Sequence, residues 1–306
     1  MSSVLDPRPL GATPLVVSPV TLGASSLGDP QRSASDPLEV AEAMLSSRFA
    51  VVDTSNNYAG GESERVLGRA LDARGGLADG HSIVTKVDVG KDGRFDRDRV
   101  WRSFEESVEK LGLERFPLVH LHDPWAVTVE EALAPGGAVQ GMIELREQGL
   151  AGAIGIAVGE ISLEKAYVGT GIFDAVLTHN RMTIVDRSAE ELIAEANERG
   201  MGVFNAAPFG GGLLAGTSTS YAYREAPADL LAWLARVREL CAEWKLSVPA
   251  AALHFSLRHP GVHSTVVGVG RPERIAELEE LCATHVPDEF WPELEKLGTP
   301  PSTVED

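Results

Sequence analysis

The stretch AVVDTSNNYAGGESERVLGRALDARGGLADGHSIVTK, residues 50–86, contains one complete strand–helix–strand unit. Residues 50–53 and 83–86 are short apolar runs rich in β-branched side chains, and residues 62–72 between them carry a helical pattern. Apolar runs without polar alternation are typical of strands buried on both faces of a parallel sheet. The stretch therefore predicts one βαβ unit.

The same unit recurs from one end of the chain to the other. Candidate strands lie at residues 20–22, 50–53, 83–86, 118–122, 153–157, 175–178, 202–206 and 264–267. Helical patterns lie near residues 37–47, 62–72, 97–111, 138–148, 160–168, 188–199, 228–244 and 272–283. Eight such units in about 250 residues match a closed barrel. We therefore predict an α/β fold, a single (β/α)8 TIM barrel domain over residues 1–306.

Three segments fall outside the eight units. Residues 8–18 precede the first strand and are expected to form a short hairpin that closes the base of the barrel. Residues 248–257 and 288–297 predict two additional helices towards the end of the chain. No linker or low-complexity segment divides the sequence, which favours one domain over two.

Composition limits the classes of partner. The chain has 45 acidic and 27 basic residues and a net charge of −18, which argues against nucleic acid or an anionic membrane surface as a partner. An anionic cofactor needs only a local basic pocket. No run approaches 18 apolar residues, so no membrane span is expected. Two cysteines, Cys241 and Cys282, and a start without the form of a signal peptide predict a cytoplasmic protein.

Four polar residues occur at or just after the ends of predicted strands. Asp53, Lys86 and His122 end the second, third and fourth strands, and Tyr58 follows Asp53 by five residues. In barrels of this class, catalytic side chains gather at the carboxyl ends of the strands. We therefore expect an acid, a phenol, an amine and an imidazole on one face, in a site that moves a proton at an oxygen.

The order and surroundings of these residues resemble the aldo-keto reductase superfamily. The matching motifs, spread over residues 8–283, are Asp53-Thr54-Ser55 followed by Tyr58, GESERVLG at 61–68, Thr85-Lys86, LHDP at 121–124, APFGGGLL at 207–214 and PERI at 272–275. The resemblance implies an NAD(P)-dependent oxidoreductase that transfers hydride between nicotinamide and a carbonyl or alcohol. It also implies that the catalytic residues are Asp53, Tyr58, Lys86 and His122.

The roles of the four residues also follow from acid–base chemistry. Hydride transfer to a carbonyl leaves an alkoxide that must be protonated, and the reverse reaction needs a proton removed. A free phenol has a pKa of about 10, too high for an effective base near neutrality, and a neighbouring ammonium lowers it. On this logic Asp53 holds Lys86, and Lys86 lowers the pKa of Tyr58, which exchanges the proton. His122 then orients the substrate oxygen or assists Tyr58.

A second signal is the segment GVGRPER at 268–274, which follows the eighth predicted strand and opens a helix. Backbone N–H groups at a helix start bind phosphate, and loops after the seventh and eighth barrel strands commonly do so. The glycines at 210–212 would let the backbone approach a pyrophosphate. No Gly-x-Gly-x-x-Gly segment joins a strand to a helix, so a Rossmann site is not expected. The candidate cofactor-binding residues are His179, Asn180, Pro208, Phe209, Gly210, Gly212, Leu213, Gly268, Gly270, Arg271, Arg274 and Glu277.

Two departures from the family pattern concern the nicotinamide. Ala157-Val158 stands where relatives often carry Ser-Asn, and Ala206 stands where many carry a Tyr that stacks on the nicotinamide ring. His179 and Asn180, after the sixth strand, then become the candidates for holding the carboxamide. Phe209 is a candidate for an apolar wall in place of the missing Tyr.

Arg271 and Arg274 bear on the choice between NADP and NAD. They lie three residues apart at a helix start, so both can face one spot, and guanidinium groups suit the adenosine 2′-phosphate of NADP. Gly268-Val269 stands where phosphate-binding relatives often have Lys-Ser, which weakens this case. Glu277 would either hold the adenine amino group or neutralise an arginine. We predict NADP(H) as the preferred cofactor, with NAD(H) as the alternative.

Further segments resemble the D-threo-aldose (L-fucose) 1-dehydrogenase branch of the family, namely residues 173–177, 180–181, 250–253 and 259–262. In that branch the C1 hydroxyl of a cyclic aldose is oxidised to a lactone. Trp125, shortly after His122, would place an indole against the sugar ring. Other small-molecule carbonyl substrates stay open, including pyridoxal and other aldehydes or ketones.

Two alternatives of other classes also stay open. His120 and His122 lie two apart on one strand and share a face, so with His179 and Asp53 they would suit a divalent metal ion in a barrel hydrolase. Such hydrolases usually carry the His-x-His pair on the first strand, whereas here it is on the fourth. The other alternative is a non-catalytic subunit that binds the cofactor, although such a protein would not need all four catalytic residues.

Overall fold

Eight parallel strands close into a barrel in the computed structural model, which describes residues 6–301. Residues 1–5 and 302–306, which the predicted domain includes, lie outside the described residues. The eighth strand pairs with both the seventh and the first. The strands are Val20–Gly23, Val51–Asp53, Ser82–Val87, Val119–His122, Ile154–Ala157, Ala175–His179, Gly202–Ala206 and Ser264–Gly268. Each agrees with its predicted bounds to within one residue, so the predicted barrel is confirmed.

A helix from each predicted unit packs around the outside of the barrel. These helices are Pro37–Ser46, Glu62–Arg74, Arg97–Leu111, Ala138–Glu147, Ile161–Gly169, Glu190–Glu198, Ala228–Glu243 and Arg274–Ala283. The last was predicted to start at residue 272 but begins at Arg274, so Arg271 belongs to the loop before it. Within residues 6–301, no helix is long and apolar enough to cross a membrane.

Several smaller elements supplement the eight units. The predicted extra helices are present as Val248–Leu257 and Phe290–Glu295. A further helix, Val129–Leu133, was not predicted from the pattern, and its start is fixed by a capping box between Thr128 and Glu131. Other unpredicted elements are the 3-10 turns Tyr58–Gly61 and Gly210–Gly212 and the hairpin of Ser220–Tyr221 with Arg224–Glu225.

The N-terminal hairpin closes the base of the barrel, as predicted. Arg8–Pro9 pairs with Val16–Val17 in antiparallel register. Leu10, Leu15 and Val17 are buried and join one apolar cluster with interior side chains of the barrel strands. Because this cluster fills the bottom of the barrel, polar chemistry is confined to the opposite end, where the strands have their carboxyl ends.

Alternation along each strand sets which side chains face inward. Val51 belongs to the interior cluster, whereas Val52 belongs to the cluster beneath the outer helices. The same two-residue period turns Asp53, Lys86 and His122 inward at the upper ends of their strands. Burying a valine or leucine side chain contributes about 1.5–3 kcal/mol. A slip of one residue would reverse every such side chain, so the register of the polar residues is firmly set.

Candidate active site

Asp53 and Lys86 form a buried ion pair inside the barrel. The Lys86 Nζ donates to Asp53 Oδ2 at 2.7 Å and to the Thr54 carbonyl oxygen at 2.7 Å. The two side chains are 4% and 1% exposed. Burial opposes the charge on the ammonium, but Asp53 and Tyr58 together outweigh it and raise the pKa of Lys86 above its ordinary value. The ammonium is therefore kept charged in an apolar setting, as the sequence predicted.

Tyr58 lies beside this pair at the start of its 3-10 turn. The Lys86 Nζ is 4.5 Å from the centroid of the Tyr58 ring. Burial raises the pKa of Tyr58 to about 12, although Lys86 acts to lower it. The expected net lowering of this pKa is therefore wrong, because the penalty for burying a phenolate exceeds the attraction of the ammonium. In this state Tyr58 is a protonated phenol, suited to donating a proton.

His122 completes the predicted set of four. Its ring centroid is 5.5 Å from that of Tyr58, with the planes at 85°. Its Nδ1 is 2.7 Å from Asp88 Oδ1 and 3.2 Å from Ser55 Oγ. Its Nε2 lies 3.6 Å from Asp123 Oδ2. The sequence analysis did not identify Asp88 or Ser55 as partners of His122. The signal that could have indicated Asp88 is its place as a second polar residue shortly after Lys86, just beyond the end of the third strand.

A cavity of about 770 Å³ opens above these residues at the carboxyl ends of the strands. The predicted residues that line it are Asp53, Tyr58, His122, Trp125, His179, Pro208, Phe209, Gly212, Gly268, Gly270, Arg271 and Arg274. The other predicted residues, Lys86, Asn180, Gly210, Leu213 and Glu277, are not part of the lining. Lining residues that the sequence did not suggest include Gly23, Ser25, Arg32, Ser33, Thr217 and Tyr223. The cavity thus joins the proton-transfer residues to most of the predicted cofactor residues.

His179, rather than Asn180, faces the cavity. Asn180 is only 2% exposed, and its Nδ2 lies 3.1 Å from Nδ1 of His179. Burial, aided by His122 and nearby positive charges, lowers the pKa of His179 to about 4. His179 is therefore a neutral ring at the cavity wall. Asn180 is not part of the cavity lining and contacts the His179 ring instead, so His179 is the one of the two predicted residues that the cavity exposes.

Three residues directly after barrel strands adopt the left-handed backbone conformation. The φ angles of Asp123, Asn180 and Ala207 are 43°, 61° and 58°. They follow the fourth, sixth and seventh strands, and each turns the chain sharply at the rim of the cavity. Residues with a Cβ seldom adopt this conformation, and strain of this kind is concentrated at functional sites.

The far end of the cavity carries two arginines that share one carboxylate. Nη2 of Arg271 lies 2.6 and 2.8 Å from the Glu277 carboxylate oxygens, and Nη1 of Arg274 lies 3.1 Å from one of them. The Arg274 guanidinium also stacks 4.9 Å above the Phe209 ring. Hydrogen bonds from Arg271 outweigh burial and lower the pKa of Glu277. Glu277 therefore neutralises arginine charge, which was one of its two expected roles.

The loop after the first strand forms the opposite wall of this far end. Ser33 Oγ donates to the Gly270 carbonyl oxygen at 2.5 Å, which ties this loop to the glycine-rich segment. Arg32 also lines this cavity and supplies a third guanidinium group. Its Nη1 donates to the Ser25 carbonyl oxygen at 3.0 Å. At Gly268 an added Cβ would meet nothing within 4 Å, so the backbone there is open to a ligand.

The metal-hydrolase alternative finds no support in the geometry. Among residues 6–301, no group of three His, Cys, Asp or Glu side chains is placed to hold a metal ion. His120 is fully buried against the Phe204 ring, at a centroid distance of 5.9 Å, and is not part of the cavity lining. The His-x-His pair is therefore divided between the core and the cavity.

Comparison with known proteins gives relatives of matching length. The chain is 29% identical to pyridoxal 4-dehydrogenase of Microbacterium luteolum, over 96% of this chain and 97% of the relative. It is 28% identical to D-threo-aldose 1-dehydrogenase of a Pseudomonas species, over 92% and 94% of the two chains. It is 27% identical to L-galactose dehydrogenase of Arabidopsis thaliana, over 97% and 95%.

A solved structure and a family model complete the comparison. An aldo-keto reductase of Bacillus halodurans, solved in its holo form, has the same fold, with a TM-score of 0.75 and 21% identity over 96% of this chain and 97% of that chain. The model of the Aldo/keto reductase family matches residues 19–299. The chain therefore belongs to the aldo/keto reductase family and is an NAD(P)-dependent oxidoreductase.

Proposed function

We propose that the protein oxidises the C1 hydroxyl of a cyclic aldose to a lactone, with NADP(H) as its preferred cofactor. The observation that carries this proposal is Trp125, whose indole is 60% exposed at the rim of the cavity near His122. An exposed indole beside the reacting groups gives an apolar face on which a sugar ring can lie. Relatives named for aldose and galactose oxidation support the same substrate class.

Each of the four predicted catalytic residues has a proposed role in the reaction. A bound nicotinamide supplies the acceptor or donor of the hydride. Tyr58 exchanges the proton at the substrate oxygen, and His122 orients that oxygen. Lys86, held charged by Asp53, stabilises the phenolate form of Tyr58. All four are proposed as catalytic residues because Asp53, Tyr58 and His122 line one end of a single cavity and the Lys86 ammonium lies 4.5 Å from the centroid of the Tyr58 ring.

The other end of the cavity fits a dinucleotide. Gly268 leaves the backbone open, Gly270 also lines the cavity, and loops after the last barrel strands are common phosphate sites. Arg271 and Arg274 supply guanidinium groups suited to the 2′-phosphate of NADP. His179 is proposed to contact the nicotinamide end, with Asn180 holding it in place. The remaining proposed cofactor residues are Pro208, Phe209, Gly210, Gly212, Leu213 and Glu277.

We propose that the substrate partner of the protein is a small-molecule sugar or carbonyl compound. We also propose that the protein acts in the cytoplasm. The net charge of −18 disfavours nucleic acid. Cys241 and Cys282 are both buried free thiols, which suits a reducing compartment.

A substrate panel tests the proposal. Cyclic aldoses, pyridoxal and simple aldehydes would each be assayed with NADP(H) and NAD(H), followed by nicotinamide absorbance. We expect the highest kcat/KM for an aldose in the oxidative direction. Strong aldehyde reduction without sugar oxidation would defeat the sugar assignment. A preference for pyridoxal would instead establish pyridoxal oxidation, the second candidate function. The 29% identity to a pyridoxal 4-dehydrogenase favours that candidate.

The pKa of Tyr58 predicts the pH dependence of oxidation. Only the phenolate can accept the substrate proton, and below a pKa of about 12 its fraction rises as the pH rises. We expect kcat/KM for the alcohol to rise with a logarithmic slope of roughly one between about pH 7 and pH 9. In the same range kcat/KM for the carbonyl, which uses the protonated phenol, should stay level. An oxidation rate independent of pH would contradict the role of Tyr58.

Cofactor preference is tested at Arg271 and Glu277. Arg271→Gln should raise the Kd for NADP(H) about tenfold, because a hydrogen bond to a charged group is worth about 1.5–3 kcal/mol, and should leave the Kd for NAD(H) little changed. Glu277→Gln should tighten NADP(H) binding, because it removes the negative charge that the two arginines share. Arg94→Gln, at an exposed arginine outside the cavity, is the control.

Two outcomes would change this assignment. If Glu277→Gln weakens both cofactors equally, Glu277 holds the adenine instead of neutralising the arginines. If the unmodified protein binds NAD(H) more tightly than NADP(H), the preference is reversed. Both Kd values would be measured by fluorescence titration at one ionic strength, because the contacts are charged.

A further inference from the structure

Asp88 lies one residue beyond the third barrel strand, and its carboxylate joins two parts of the site. Oδ1 accepts from Nδ1 of His122 at 2.7 Å. Oδ2 accepts from the backbone N–H of Asn57 at 3.0 Å and from the Ser55 hydroxyl. Ser55 and Asn57 belong to the segment that leads to Tyr58. One carboxylate therefore connects the segment that carries the phenol with the strand that carries the imidazole.

The position of Asp88 itself is firmly fixed. The residue is 6% exposed. Its backbone N–H donates to Ser103 Oγ at 3.0 Å, and its carbonyl oxygen accepts from Nε of Arg99 at 2.9 Å. Burial opposes ionisation, but the charge and hydrogen bond of His122, with the Ser55 hydroxyl, hold the pKa of Asp88 below its ordinary value. The group facing Nδ1 of His122 is thus an ionised acceptor on a rigid support.

An ionised acceptor determines how the His122 ring is held. Nδ1 must carry a proton to satisfy the carboxylate, and the ring orientation is then set by this bond. The other nitrogen, Nε2, lies on the side of Asp123, which with Tyr58 and His122 lines the cavity. The charged or titratable groups around the ring are Asp88, Asp123, Tyr58, Lys86, His120 and His179. Among these, Asp88 makes the shortest contact with the ring.

We propose that Asp88 is a positioning residue for proton exchange, holding His122 with a proton on Nδ1 and Nε2 directed at the reacting oxygen. This inference rests on the proposed function. Asp88 does not touch the substrate and acts through His122. It also holds the Asn57 N–H, so it sets the spacing between the imidazole and the phenol that must meet on one oxygen.

Asp88→Asn tests the proposal with little change of shape. The new amide can still accept from Asn57 and Ser55, but its NH2 group would face Nδ1 and force the proton onto Nε2. We expect kcat/KM to fall on the order of 10²-fold, as when other carboxylate partners of a functional histidine are removed. The pH profile of kcat/KM should also change, whereas the cofactor Kd should stay within about twofold. Asp92→Asn, in the exposed loop after the same strand, is the matched control.

A double-mutant cycle separates positioning from a purely structural role. If Asp88 acts through His122, Asp88→Asn should have little further effect in a His122→Gln background. Fully additive losses would overturn the proposal, as would an unchanged kcat/KM and pH profile in Asp88→Asn alone. Should that variant fail to fold, Ser55→Ala is expected to give a smaller loss in the same direction, and wild-type kinetics in Ser55→Ala would count against the proposal. A wild-type protein that turns over no panel substrate with either cofactor would instead show that the proposed function has failed.

Discussion

Tyr58→Phe is expected to lower turnover by about 10²–10⁴-fold, the usual contribution of a positioned acid–base group. The change removes the exchangeable proton and keeps the ring. That ring packs 4.5 Å from the Lys86 ammonium and edge-on to His122, so the rest of the site should keep its shape. Cofactor Kd should be nearly unchanged. The measurement is steady-state kcat and kcat/KM on the best substrate of the panel, with cofactor titration alongside.

The control for this variant is another buried tyrosine. Tyr167 is fully buried and packs against Phe173 at a centroid distance of 5.8 Å, on a helix outside the barrel. Tyr167→Phe removes the same hydroxyl without touching the cavity, so its turnover should equal that of the unmodified protein. Full activity in Tyr58→Phe would overturn the assignment of Tyr58 as the proton-exchanging residue.

Asp53→Ala is expected to destabilise the fold by about 3–5 kcal/mol, the cost of leaving a buried charge without its partner. Lys86 is 1% exposed, and Asp53 is the carboxylate within 2.7 Å of its ammonium. Without Asp53 the ammonium would have to lose its proton or draw water into the barrel. Urea unfolding at neutral pH measures the loss, and turnover should fall with it because Tyr58 loses its charged neighbour.

A second substitution shows whether the loss of stability comes from the charge. Replacing both partners, as in Asp53→Ala with Lys86→Met, removes the unpaired ammonium and should restore much of the stability, while activity stays low. Asp92→Ala, at a side chain that is 60% exposed, should be nearly neutral. If the double variant is no more stable than Asp53→Ala, the loss reflects packing around Asp53 and not an uncompensated charge.

The strands and the meeting of four side chains were predictable because both follow from a local pattern. A run such as residues 50–53 specifies a strand buried on both faces, and the two-residue period then sets which way Asp53 points. The same holds for Lys86 and His122. Once eight such units are recognised, the barrel brings these three side chains together at the carboxyl ends of its strands. Tyr58 lies on the 3-10 turn after the second strand, and only its short distance from Asp53 in the sequence indicated that it joins them.

Features that depend on loops or on depth of burial could not be predicted in this way. The contact between Asp88 and His122 joins the ends of two neighbouring strands, and a pattern along one strand does not show which side chains pair across that gap. The sign of the Tyr58 shift depends on how much water the closed barrel excludes, a property of the whole fold. Whether His179 or Asn180 faces the cavity depends on a φ of 61° at Asn180. The loop around Arg32 carries no periodicity at all.

The left-handed residues at the rim have a consequence for how this enzyme tolerates heat. Asp123, Asn180 and Ala207 each hold a backbone conformation that costs about 1–3 kcal/mol, and the surrounding barrel must supply that energy. We therefore expect the rim to relax on warming before the apolar strands below it. Activity should consequently be lost at a lower temperature than the barrel itself. Substitutions that relieve this strain should raise the thermal stability of the enzyme but lower its activity, because they change the geometry of the site.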